Sequence, residues 1–92
     1  MRQVTKNAVN ALMNGYNYKC GNTQVFNRAM YLHGNKIAEI RDGELWITNA
    51  EWSSNTTKER LNGLPGVRIT QKNWEWYLNG NHWQGQWIKV ER

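Results

Sequence analysis

The sequence has one cysteine, one proline and one phenylalanine in 92 residues. A lone Cys20 excludes an intrachain disulfide, and no sequence cluster of metal ligands includes it, so a reducing, cytoplasmic setting is expected. No apolar run is long enough to span a bilayer, and the Met-Arg-Gln start has no signal-peptide pattern, so no membrane partner is expected. Acid is missing from a whole stretch of chain. Residues 1–38 contain Arg2, Lys6, Lys19, Arg28 and Lys36 but no Asp or Glu; the first acid is Glu39. From residue 39 onward seven basic and seven acidic side chains cancel, so the formal charge of +5 belongs to the first 38 residues. A region of one sign concentrates anionic partners and speeds encounter with them. The competing reading is a solvated face that keeps a small protein soluble.

Against these absences stand six Trp, four Tyr and thirteen Asn. Ninety-two residues make one domain near the small end of those that fold alone. Aromatic side chains bury the most area per residue, so the tryptophans are expected to supply the core. The Asn, many beside Gly, point to tight turns rather than disorder.

Residues 3–14 have the period of an amphipathic helix. Val4, Ala8, Val9, Ala11 and Leu12 fall on one side; Arg2, Gln3, Lys6, Asn7, Asn10 and Asn14 fall on the other. Met13 lies on the polar side, and Gly15 stands where a C-terminal cap belongs. Arg2, Lys6 and Asn10, at i, i+4 and i+8, form one row suited to phosphate or acidic contacts. Short strands follow. Asp42-Gly43 is a hairpin signal that sets Arg41 opposite Glu44, Ile40 opposite Leu45 and Ala38 opposite Ile47. A Gly34-Asn35 turn completes a meander over 28–33, 36–41 and 44–48, with a further strand near 23–27. Thr56, with Glu59 three residues on, predicts a capped helix over 56–62, with Leu61 as its apolar contact and Gly63 as its stop. Three more strands are expected over 67–71, 74–78 and 83–90. Asn79-Gly80 would place Trp76 opposite Trp83 and Tyr77 opposite His82. The fold class is α+β: one domain over 1–92, with a basic amphipathic helix over 1–15 and an antiparallel sheet with a short helix over 22–92.

Catalytic chemistry is not legible. His33 and His82 flank turns, their spacing fits no zinc pattern, and the carboxylates are scattered without an Asp/Glu pair for Mg²⁺. The glycines stand singly, so there is no phosphate loop. The expectation is no enzyme, no cofactor and no small-molecule substrate. Basic residues interleaved with aromatics are, by contrast, the material of single-strand binding. Tyr16, Tyr18 and Lys19 follow the helix in an expected loop, and Phe26, Arg28 and Tyr31 alternate along an expected strand. The predicted binding set is Arg2, Lys6, Asn10, Tyr16, Tyr18, Lys19, Arg28 and Lys36.

The stretch Leu32-His33-Gly34-Asn35-Lys36-Ile37-Ala38, followed by Trp46 and by Trp52 through Asn62, resembles a family of short phage proteins. These carry an LHGN-x-IA pattern and a later W-x-x-x-T-T-x-x-R-L-N pattern. The resemblance covers about residues 22–88 and leaves the basic helix outside. At the level of class it is similar to phage anti-CRISPR inhibitors. That likeness implies a host bacterial cytoplasm and, as partner, a protein–RNA surveillance complex docked where guide RNA or target DNA lies. Free DNA or RNA binding and a minor structural role in the phage stay open beside it. Three strands followed by a helix are also similar to the DNA-binding sheets of some integrases and plant transcription factors, although Glu39 and Glu44 on that face count against the likeness.

Overall fold

The computed structural model describes residues 2–91. Helix α1 runs Gln3–Asn14 and ends on Gly15 in the left-handed conformation, whose N–H donates to the Ala11 carbonyl. Thr5, Ala8, Ala11 and Leu12 are buried; Arg2, Lys6 and Asn10 are exposed. Fully burying one leucine contributes about 1.5–3 kcal/mol, so this stripe, rather than intrinsic propensity, holds the helix.

Five strands then run up and down: β1 Tyr18–Cys20, β2 Thr23–Phe26, β3 Ala29–Leu32, β4 Asn35–Arg41 and β5 Glu44–Ile47. Helix α2 spans Asn55–Leu61, and a hairpin of β6 Ile69–Lys72, β7 Glu75–Leu78 and the two-residue β8 Asn81–His82 follows. Strand β9, Ile88–Lys89, returns to lie beside β5. All pairings are antiparallel, and among the described residues there are two sheets rather than one, ordered β1-β2-β3-β4-β5-β9 and β6-β7-β8. The expected strand over 83–90 is broken where the chain crosses between them at Gly85, φ +92°. A Cβ there would lie 2.1 Å from the Asn49 side chain. The Gly85 carbonyl accepts from Thr48 Oγ1 at 2.6 Å and from the Asn49 N–H at 3.0 Å.

The predicted register between β4 and β5 is observed, Ile40 facing Leu45 and Ala38 facing Ile47. Trp76 and Trp83 meet with ring centroids 6.2 Å apart, and Tyr77 pairs with His82. Several details differ from expectation. The β3–β4 turn centres on His33-Gly34, both left-handed, and Asn35 already belongs to β4. The N-cap of α2 is Ser54, whose Oγ accepts from the Thr57 N–H; Thr56 lies inside the helix. Glu59 therefore takes no part in a capping box, and its carboxylate accepts from Thr5 Oγ1 at 2.6 Å. Gly63 is not a left-handed stop but the floor of the α1–α2 crossing: a Cβ on it would lie 2.5 Å from Thr5 Cγ2.

The least expected core member is Arg60, 2% exposed. Its Nε donates to Thr23 Oγ1 at 3.0 Å, its Nη1 donates to Thr5 Oγ1 at 2.9 Å, and its guanidinium pairs with Glu59. One side chain thus ties α2 to α1 and β2. Around it, Leu12, Val25, Met30, Leu45, Ile47 and Leu61 form the fully buried centre; Trp76 joins from the second sheet and Trp83 from the segment just after it. Trp52, Trp74 and Trp87 do not belong to this core: they are 56%, 92% and 37% exposed. The remaining one, Trp46, is half-buried.

Candidate nucleic-acid interface

The pleat sorts the six-stranded sheet into two faces. Thr23, Val25, Met30, Leu32, Ala38, Leu45 and Ile47 turn inward, against α1 and α2. The other face carries two rows set by register. Lys19, Gln24, Tyr31 and Lys36 lie across β1 to β4, and Phe26, Ala29, Glu39, Trp46 and Lys89 lie across β2 to β5 and β9. A bulge after Met30 brings Lys36 onto the same side as Glu39. Arg41 is clamped on this face, its guanidinium 4.8 Å from the Trp46 ring centroid and 4.6 Å from that of Trp87. Lys36 Nζ lies 6.0 Å from the Tyr31 ring centroid. Phe26, 53% exposed, stands at the end of its row.

Glu39 sits among these cations. Lys36 Nζ donates to it at 3.2 Å, and Arg41 Nε donates to its other oxygen. Burial raises this carboxyl, but the hydrogen bonds from Arg41 and Lys36, with their charges, outweigh it and hold the group below the usual carboxylate range. Glu39 offsets one of the two positive charges, and Lys36 and Arg41 keep further N–H donors that it does not occupy. Rings with cations held against them can stack bases on their open faces while the cations neutralise phosphates.

The structure divides the predicted binding set. Arg2, Lys6 and Asn10 lie on the outer face of α1, and α1 covers the inner face of the sheet, so they point away from the rows just described. Asn10 is engaged locally, accepting from Asn14 Nδ2 at 3.1 Å. Tyr16 is in a loop and 50% exposed, as expected. Tyr18 is not in that loop; it belongs to β1 and packs on the core. Lys19 and Lys36 are on the outer sheet face. Phe26, Arg28 and Tyr31 do not share a strand: Phe26 ends β2, Arg28 occupies the turn at φ +62°, and Tyr31 is in β3. Arg28 reaches back to the end of α1, its Nη1 2.7 Å from where a Gly15 Cβ would stand. The last turn of α1 has no cation of its own, and a guanidinium there complements the helix dipole. None of the ion pairs among the described residues involves Arg2, Lys6, Lys19 or Arg28.

A family model described as the Kyanoviridae Gp96 protein matches residues 1–91. The chain belongs to this phage protein family. The match takes in α1, so the basic helix is part of the family's domain and not an addition outside the 22–88 pattern. No curated protein and no solved structure matches the chain. No helix of the described residues is long and apolar enough to cross a membrane, and no group of three or more His, Cys, Asp or Glu among them could hold a metal ion.

Arg41, Trp46, Trp87 and Lys89 were outside the predicted set. Arg41 and Trp46 carried a local signal, because the Asp42-Gly43 hairpin alone puts them on one face. Trp87 and Lys89 carried none, since their place depends on β9 returning to β5.

Proposed function

We propose that this Gp96-family protein is a non-enzymatic phage accessory protein that binds single-stranded nucleic acid on the outer face of its six-stranded sheet. The carrying observation is the Arg41 guanidinium held between Trp46 and Trp87 within rows of Lys19, Lys36 and Lys89. Rings that hold a cation in place offer stacking surface and charge together, and they lose little freedom when a strand arrives.

The test is fluorescence anisotropy with labelled single-stranded and duplex oligonucleotides over a salt series. Micromolar binding is expected, favouring single strands and weakening steeply with salt. Arg41→Ala and Lys36→Glu should weaken it about ten-fold or more, with the fold checked by circular dichroism. Charge reversal at Arg2 and Lys6, on the other side of the sheet, should weaken it less. If the helix variants abolish binding and the sheet variants leave it intact, the interface is on α1 and the proposal fails.

Glu39 and Glu44 on the same face favour a second reading, in which the occupant is a host protein–RNA complex such as a CRISPR effector and the carboxylates meet protein cations. Stoichiometric capture of that complex without affinity for bare strands selects this reading over the first.

A further inference from the structure

Beside the stacked cation the sheet face runs into a groove of about 730 Å³, within the range of small-ligand pockets. Lys36 and Trp87 form the end it shares with the sheet face; Glu51, Gln84 and Gln86 line the rest. Its walls are pre-organised. Thr48 and Asn49 grip the Gly85 carbonyl, Asn49 Oδ1 accepts from the Glu51 N–H at 2.8 Å, and Asn49 Nδ2 donates to Ser53 Oγ at 3.0 Å. The turn that presents Glu51 is held in an unfavourable shape, because Ala50 and Glu51 are both left-handed, at φ +55° and +65°, with no glycine between them. Each such residue costs about 1–2 kcal/mol, so the surrounding hydrogen bonds enforce a conformation the chain would not choose. The side chains of Glu51, Gln84 and Gln86 enter no hydrogen bond among the described residues, and all three are exposed. The cavity therefore combines an aromatic wall, two free amides and a free carboxylate.

We infer that this groove takes one nucleobase out of the bound strand and reads it, preferring a base with an exocyclic amine. This rests on the sheet-face reading above. Phosphates stay over the lysines of the sheet, because the Glu51 carboxylate repels them from the groove. A base passing beyond Trp87 stacks on that ring. Its amino group donates to Glu51, and its remaining edge pairs with the amides of Gln84 and Gln86, as carboxylates and amides do for cytosine and adenine. Thymine and uracil offer no exocyclic donor, only a ring N3–H flanked by two carbonyls that repel the carboxylate.

The experiment compares an oligothymidylate of about ten nucleotides with the same strand carrying a single cytosine or adenine. Anisotropy competition is run on the full chain. The wild type should bind the substituted strand about ten-fold more tightly. Glu51→Ala should collapse that ratio, and a Gln84→Ala, Gln86→Ala double variant should reduce it. Equal affinity for all strands overturns the base-reading groove while leaving the sheet-face proposal standing. Absence of binding to every strand overturns both. Trp87-dependent binding of a neutral oligosaccharide such as maltohexaose, without base preference, makes the groove a sugar site and overturns the inference.

Discussion

Replacing Arg60 with alanine should be among the most destabilising changes available to this domain. The guanidinium is buried, donates to Thr5 and Thr23, and faces Glu59. Arg60→Ala opens a cavity between α1, α2 and β2 and leaves two buried threonine hydroxyls without their donor. It also removes the counter-charge from a carboxylate that Thr5 still holds. Breaking a buried pair by deleting one partner costs about 3–5 kcal/mol. Glu59 keeps a third of its surface in water, which places the expected loss toward 3 kcal/mol. Small domains have about 5–15 kcal/mol in total, so the variant should fold but unfold early. Urea denaturation followed by tryptophan fluorescence measures this as a lower midpoint at unchanged slope. A triple variant, Arg60→Met with Thr5→Val and Thr23→Val, fills the space and removes the buried hydroxyls with their donor, leaving only the partly exposed Glu59, and should lose less than the single change. A loss under about 1 kcal/mol for Arg60→Ala, or a triple variant no better than the single, would refute the idea that this network locks the two helices to the sheet.

Two further outcomes are expected. Trp74 stands at the tip of the β6–β7 hairpin, 92% exposed and left-handed at φ +69°, so Trp74→Gly relieves backbone strain at little packing cost and should raise stability by about 1 kcal/mol in thermal or urea unfolding. Glu39 is held below the ordinary carboxylate range, so its contribution to stability is full above the unfolded-state value and fades as pH falls through the lower folded value. A carboxyl-carbon NMR titration should show Glu39 protonating below the ordinary glutamate range, and the lowering should shrink in Arg41→Ala, where only Lys36 remains to hold it down.

What could be read in advance was what local chemistry encodes. The 3.6-residue period from Val4 to Leu12 and the glycine behind it are contained in a dozen residues. Asp42-Gly43 and Asn79-Gly80 set their registers without help from the rest of the chain. Strand β1 was missed because Tyr18–Cys20 is too short to show alternation; it exists because β2 is there to pair with. The tryptophans misled because residue type does not say where a side chain points: Trp76 alternates inward, while Trp74 is lifted into water by its turn. Nothing local marks Arg60 as buried, because its partners, Thr5 and Thr23, are distant in sequence. The positive stretch of residues 1–38 is real as composition, yet folding lays Arg2 and Lys6 on a helix, Lys19 and Lys36 on the far face of the sheet that helix covers, and Arg28 at the helix end, which a count of charges along the chain does not register.

The pairing of β9 with β5 is also the longest-range one in the first sheet. The hairpins from Tyr18 to Ile47 need only near neighbours in sequence, so closing them costs little loop entropy. The indole of Trp87 arrives only after the chain has built its second sheet, turned at Gly85 and come home along Ile47. Without that return Arg41 would have a ring on one side only. A break anywhere in Gln84–Gln86 would cut the short tail that carries Trp87 and β9 from the rest of the chain and undo the grip.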